Sequence, residues 1–394
     1  MKRVIDISRR DFVKKVIFAG IAGHSISTMF SCSNDLKPDS ISVRKPKKIG
    51  NMGTQTGYVF DPVFLEHTNE GHIESAGRLK AIMNELDTSG LLSGLVHIPS
   101  KTATIGELLL VHSETLVEQI KEYSEQGIEF LDADTYLTRR SFEAASVAAG
   151  SSSKLCLAVI DGTLRNGFAI IRPPGHHATI SKSMGFCIFN NIAVSAKVAQ
   201  KERGIERIAI IDTDVHHGNG TQAIFETDQD VLFISTHQYP FYPGTGSLIQ
   251  TGKGKAKGTK INIPLSERTG DKSFEILYYE IIIPALKRFR PELILVSAGF
   301  DAHWKDPLAQ LGLSLAGYSG ISEKLITFAS EYCDGKIVFF LEGGYNLQVL
   351  GTGVVNVLKI LSGRTDIIDP LGTSPFAEPD ISDLIVKLKK IHSL

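Results

Sequence analysis

Residues 207–220 read Arg207-Ile208-Ala209-Ile210-Ile211-Asp212-Thr213-Asp214-Val215-His216-His217-Gly218-Asn219-Gly220. The run 208–211 is apolar, mostly β-branched and without polar alternation, which predicts a strand buried in a parallel sheet. The polar nonapeptide 212–220 then lies at the carboxyl end of that strand, where open α/β sheets bind their ligands. Side chains two apart on a strand share a face, so Asp214 and His216 project together. A carboxylate and an imidazole there suit a borderline divalent metal such as zinc. Asp and His after a strand also serve as caps and turn formers, and this stretch alone leaves both readings open.

The surrounding chain has 394 residues, 42% hydrophobic and 22% charged, an ordinary globular balance. A formal net charge of -1 argues against a nucleic-acid partner recognised by bulk charge. The four cysteines, Cys32, Cys156, Cys187 and Cys333, form no CxxC pair, so neither a disulfide framework nor a zinc ribbon is expected.

The N-terminus reads as a transport address. Residues 8–14, Ser-Arg-Arg-Asp-Phe-Val-Lys, resemble the twin-arginine export signal. The apolar stretch 16–23 is too short to span a bilayer as a helix. Met29-Phe30-Ser31-Cys32 resembles a lipoprotein cleavage box, with Cys32 as the residue to be lipidated. Residues 1–32 are thus expected to be an export signal, 33–52 a flexible tether, and 53–394 one folded domain. The expected location is the bacterial envelope, on the periplasmic side, with membrane attachment only through lipid on Cys32.

Further along, a strand is expected at 56–60, then a polar loop to residue 75 whose His67 and His72 read as surface residues, then a helix at 78–86. Another strand is expected at 94–98, two helical stretches within 104–127, and a helix at 141–160 whose Ala and Ser content predicts close packing. A strand at 168–172 ends in Arg172-Pro173-Pro174-Gly175-His176-His177-Ala178, where two prolines stiffen the turn that presents the histidines. Strands at 231–236, 261–264, 293–297 and 336–341 alternate with helices at 190–202, 272–290, 315–332, 346–361 and 379–391. This pattern predicts an α/β fold: a single domain with a mainly parallel central sheet flanked by helices on both faces.

Four of these strands end in metal-type or proton-transfer residues: His176-His177, Asp214 with His216, Asp301, and Tyr345. Placed on one edge of one sheet, Asp214, His216 and Asp301 would hold zinc and leave a vertex for water and substrate. Two free histidines could move protons, and the glycines beside Tyr345 would let its hydroxyl reach over the pocket.

Six segments in order now carry a resemblance: Arg-Pro-Pro-Gly-His-His-Ala at 172–178, Gly-Phe-Cys at 185–187, the nonapeptide 212–220, Pro-Gly-Thr-Gly at 243–246, Ser-Ala-Gly-Phe-Asp-Ala-His at 297–303 and Glu-Gly-Gly-Tyr at 342–345. The chain resembles the zinc-dependent histone deacetylase family of the arginase/deacetylase fold, in the manner of a class II-like bacterial member. The resemblance implies one Zn²⁺ on Asp214, His216 and Asp301, His176 and His177 as a general acid/base pair, and Tyr345 as donor to the oxyanion. It implies that Asp212 orients His176 and that Asn219, where class I members carry Asp, orients His177. Gly185 and Phe186 would contact the substrate, Phe186 as a wall of the tunnel around an aliphatic amine stem. Arg78 would lie below the metal, where acetate leaves. A K⁺ is also implied, held around Asp212, Asp214, His216, Ser235 and Thr236.

The expected reaction is zinc-dependent removal of acetyl, or a short acyl group, from an amine nitrogen of a small-molecule or peptide substrate of the acetyl-lysine type. An acetylpolyamine amidohydrolase and a non-catalytic binder of acylated ligands are the alternatives. Leu308 stands where polyamine-selective relatives place Glu, which weakens the polyamine alternative. Ureohydrolase chemistry on the same fold would need further Asp ligands for a second metal. His217 is expected to be structural, His237 and His303 to lie near the rim, and Cys156, Cys187 and Cys333 to be packed residues. Trp304 is expected at the entrance or packed on the surface.

Overall fold

The computed structural model describes residue 53 and residues 55–394, which fall within one compact unit. The expectations for the export signal, the tether and Cys32 lie outside the described residues.

Eight strands form the sheet among the described residues: β1 (Thr56–Val59), β2 (Val96–His97), β3 (Asn166–Ala169), β4 (Ile208–Asp212), β5 (Val231–Gln238), β6 (Lys260–Leu265), β7 (Leu293–Ala298) and β8 (Ile337–Leu341). Their order is β2-β1-β3-β8-β7-β4-β5-β6, with every pairing parallel. Every residue of β3, β4, β7 and β8 is buried, the polar Asn166, Asp212 and Ser297 among them, and the rest are apolar or glycine. These four strands are neighbours in the sheet, so their carboxyl ends open onto one edge. The register holds Asp212 between Ser297 on one side and Ser235 on the other.

Helices flank the sheet in packed groups. Ser141–Ile160 packs against Asn191–Arg203, and Ala76–Thr88 packs against Leu347–Leu361, which also meets Leu315–Tyr332. Small residues allow the first contact to be close. Ala144, Ala145, Ala148 and Ala149 are buried, and the Gly150 backbone lies against that of residues 101–103.

Several element boundaries differ from those read in the sequence. The strand expected at 168–172 is β3, which begins earlier and ends at Ala169, and Arg172 beyond it is buried. The strand expected at 94–98 is reduced to Val96–His97. The helix expected at 272–290 is α-helical over Asp271–Leu277 and Ile283–Phe289, with a π turn over Tyr278–Ile282 between them. Pro284 lacks an N–H and cannot donate to the preceding turn, which accounts for the wider winding ahead of it. A short helix, Asn219–Ile224, grows out of the end of the nonapeptide.

Candidate active site

The ends of β4 and β7 bring three ligand-type atoms together. His216 Nδ1 lies 3.1 Å from Asp214 Oδ1 and 3.4 Å from Asp301 Oδ2. A tetrahedral ion with bonds of about 2.0–2.1 Å would hold its ligand atoms about 3.3 Å apart, so the spacing fits a zinc-sized cation. The remaining carboxylate oxygens are tied to the backbone: Asp214 Oδ2 accepts from Gly343 N at 2.8 Å, and Asp301 Oδ1 from Val215 N at 2.9 Å. Asp301 Oδ2 is buried without a hydrogen-bond donor. A buried acceptor left in that state is costly, and a cation would satisfy it. Burial and the Asp214 charge push the Asp301 carboxyl up. Asp214 is equally buried, yet His176 and His216 hold it down.

The backbone is shaped around these oxygens. A Cβ on Gly343 would fall 2.1 Å from Asp301 Oδ2 and 2.6 Å from Asp214 Oδ2, and one on Gly299 would fall 2.2 Å from Asp214 Oδ2. Glycine is required at both positions by close approach.

Two histidines from the turn after β3 stand beside this cluster, with ring centroids 4.0 Å apart. His176 Nδ1 pairs with Asp212 Oδ2 at 3.1 Å, and His177 Nδ1 pairs with Asn219 Oδ1 at 2.7 Å. Burial alone would lower His176, but Asp214 and Asp212 outweigh it and raise the group to about 10. Burial, reinforced by His176 and His216, drives His177 well below the usual imidazole value. Burial pushes Asp212 up to about 6, against the pull of His176. Two adjacent imidazoles are thus pulled apart, one towards the charged form and one towards the neutral form. The neutral one is ready to accept a proton while its neighbour stays charged beside it.

Aromatic side chains line the approach. Phe186 meets the Tyr345 ring edge-on at 5.9 Å and the His72 ring at 4.9 Å. Tyr242 stands edge-on to His177 at 5.2 Å, and Phe241 stacks on His216 at 5.4 Å. Gly185 packs directly against the His177 ring.

A family model for the histone deacetylase domain matches residues 72–361, which hold all of these groups. The chain belongs to the histone deacetylase family. This deacetylase is 38% identical over 395 aligned positions to histone deacetylase 14, chloroplastic, of Arabidopsis thaliana, covering 95% of this chain and 91% of that one. It is 41% identical over 296 positions to a probable deacetylase of Archaeoglobus fulgidus, covering 74% of this chain and 82% of that one. The crystal structure of the HDA15 HD domain shares its fold with a TM-score of 0.79 at 35% identity, over 86% of this chain and 95% of that chain. The arginase/deacetylase fold is therefore present.

Other expected site residues of the deacetylase fall as follows. Tyr345 lies at the end of β8 on the same edge, and the turn carrying it is pinned from two sides. Arg78 donates to Gly344 O at 2.8 Å and to Glu342 O, while Asp306 Oδ2 accepts from Tyr345 N at 2.8 Å. Leu308 is half-buried, and its N–H donates to Asp306 Oδ1 at 2.9 Å. Ser235 pairs in register with Asp212, and the Thr236 hydroxyl donates to Asp212 O at 3.4 Å. Asp212, Ser235 and Thr236 thus lie side by side across β4 and β5. His217 bridges Thr245 and Gln222, in keeping with a structural role. The Cys187 sulfur accepts from His177 N at 3.4 Å, and burial raises its thiol well above the ordinary value, so it is a packed residue. The Trp304 indole donates to Gly372 O at 2.9 Å.

Two expectations are corrected. His237 and His303 are not at the rim. Both are fully buried, His237 between Ser235 and Gly246 O. His67 is not a surface residue: it is 1% exposed and bonds Ser141 through Nδ1 at 2.7 Å. The polar loop folds inward because Glu74, itself 0% exposed, is a counter-ion for Arg172 and Arg78. Those guanidinium groups, Arg172 first, hold Glu74 well below the usual carboxylate range despite burial.

The sequence reading assigned no role to Glu74, Tyr136, Phe241, Tyr242, Asp306 or Glu342. The Glu342 carboxylate accepts from Gly175 N at 2.7 Å, His176 N at 3.1 Å and Ser297 Oγ at 3.0 Å, so it holds the His-His turn against β7. Glu342 opens a recognised segment and could have been singled out there. For Phe241 and Tyr242, adjacency to Pro-Gly-Thr-Gly was the only signal.

Proposed function

We propose that this deacetylase is a zinc-dependent amidohydrolase that removes acetyl, or another short acyl group, from an amine nitrogen at the end of a flexible apolar stem, with acetyl-lysine in a peptide as the type substrate. The observation that carries this reading is the three-atom cluster of Asp214, His216 and Asp301, with its orphaned carboxylate oxygen, beside two histidines biased in opposite directions. Zinc held there would polarise the acyl carbonyl and acidify the attacking water.

The chain's own groups do the rest. His177, neutral and oriented through Asn219, takes the proton of the attacking water at Nε2. His176, kept in its charged form by Asp214 and Asp212, stabilises the anionic tetrahedral species and, together with burial, keeps His177 from charging beforehand. His177 then returns the proton to the leaving amine. The Tyr345 hydroxyl, whose pKa burial raises well above the usual value, stays protonated and donates to the oxyanion. Phe186, Tyr242 and Phe241 wall the stem and exclude water.

A fluorogenic acetyl-lysine peptide, assayed with the zinc-loaded protein and again after chelation, tests this reading. Hydrolysis that chelation abolishes and added zinc restores is expected. Absence of hydrolysis across acyl-lysine and acetylpolyamine panels would instead favour a binder of acylated ligands.

Asn219→Asp tests the orientation of the base. A carboxylate 2.7 Å from His177 Nδ1 favours the imidazolium and raises its pKa. A base with a raised pKa remains protonated to higher pH. The acid limb of the kcat/KM profile should therefore move up by about one pH unit. An unmoved limb would free His177 from control by residue 219.

A further inference from the structure

The His-His turn and the tyrosine turn come from different strands, yet one buried carboxylate is bonded to the anchors of both. Arg172, the residue that opens the His-His turn, donates from Nε to Glu74 Oε1 at 2.5 Å and from a terminal nitrogen to Glu74 Oε2 at 2.6 Å. Its other contacts, to Phe64 O and His67 O at 2.8 Å and to the Tyr136 hydroxyl at 2.9 Å, fix the guanidinium plane. Arg78 donates to the same Glu74 Oε1 at 3.0 Å and turns its remaining nitrogens to Gly344 O and Glu342 O, on the peptide groups just before Tyr345. The Arg78 guanidinium also lies 5.1 Å from the centroid of the Tyr345 ring. All three charged groups are 0% exposed, so solvent neither screens nor replaces these bonds.

We propose that Glu74 is a positioning residue that sets the distance between the proton-moving pair His176-His177 and the oxyanion donor Tyr345. One carboxylate oxygen shared by two guanidinium groups leaves neither arginine free to move without the other. Glu74 reaches the zinc ligands only indirectly, through the peptide that joins Glu342 to Gly343: Arg78 donates to its carbonyl and Asp214 accepts from its N–H. Asp214 and Asp301 are fixed by Gly343 N and Val215 N and make no contact with Glu74. The proposal rests on the deacetylase reading above. It adds that alignment between the two halves of the catalytic apparatus is set by a residue that touches neither substrate nor metal.

The experiment compares Glu74→Asp and Glu74→Gln with the parent protein, measuring zinc content, thermal unfolding, and kcat and KM per zinc-loaded chain. Asp keeps the charge but is too short to span both guanidinium groups. Gln keeps the length but removes the charge and presents an N–H₂ to a cation. Any zinc lost through the Gly343 peptide is read separately in the metal content, and the kinetics are compared per bound zinc. kcat should fall on the order of 10-fold for Asp and 10²-fold for Gln, as misplacement of reacting groups by about 1 Å does. KM should stay within about threefold, because the ground-state walls Phe241 and Tyr242 stand on another loop. If Gln fails to fold, Asp decides. Failure of both to fold would assign Glu74 a purely structural role and overturn the proposal. Parental kcat in folded Glu74→Asp, with an active parent, would overturn the positioning role alone. An inactive parent would remove the deacetylase reading, and this inference with it.

Discussion

Replacing Tyr345 with phenylalanine should lower kcat roughly 10²–10³-fold, the usual cost of losing one oxyanion donor, with zinc content and unfolding temperature unchanged. The hydroxyl is the only atom removed. Main-chain bonds to Asp306 and Arg78 hold the residue's position, and the substitution leaves them in place. The ring also keeps its edge contact with Phe186 at 5.9 Å. Because the donor acts on charge that develops during reaction, kcat and kcat/KM should fall together. Steady-state kinetics on an acetyl-lysine peptide settle the matter, and turnover equal to the parent would remove Tyr345 from the reaction.

The second large effect is expected from Gly343→Ala, a substitution of one methyl group. The added Cβ would sit 2.1 Å from Asp301 Oδ2 and 2.6 Å from Asp214 Oδ2, distances at which atoms cannot coexist. One side must give way. If the carboxylates move, the ligand triangle opens. If the backbone moves, Gly343 N loses its 2.8 Å bond to Asp214 Oδ2. Either outcome should reduce bound zinc to well below one per chain and lower activity by about two orders of magnitude or more, because supporting contacts of metal ligands are themselves worth about 10–100-fold. Metal analysis of the purified variant is the direct measurement. Full zinc loading with parental activity would show that the triangle tolerates the displacement and would weaken its assignment as the metal site.

What could be read in the sequence was what is local in the chain. Each of β3, β4, β7 and β8 advertises itself by an apolar run, and each is followed within a few residues by its chemical group. Strand and side chain were therefore legible together. Their convergence followed from the parallel α/β pattern, although the order of strands did not. Residues that act across the fold were hidden. Glu74 lies 98 positions before Arg172, and a Glu in a polar loop with two histidines reads as solvated surface until its partners are known. His67 was misplaced for the same reason: its local surroundings are polar, and its burial is a tertiary fact. His237 was misplaced because hydrogen bonding inside the core, to Ser235 Oγ and Gly246 O, satisfies an imidazole as well as water does; the burial of His303, too, is a tertiary fact. The π turn at Tyr278–Ile282 had a visible cause in Pro284, which the sequence reading passed over.

The sheet order has a consequence for synthesis. β8 is the last strand to leave the ribosome, and it inserts between β3 and β7. Until residue 341 has been translated, β3 and β7 each present an unpaired edge, and the two flanks of the sheet have no bond between them across that gap. A nascent chain halted before β8 would carry His176, His177 and the metal ligands on two separate fragments of sheet. It would be both inert and prone to sticking to other chains, a liability that lasts until the final strand closes the gap.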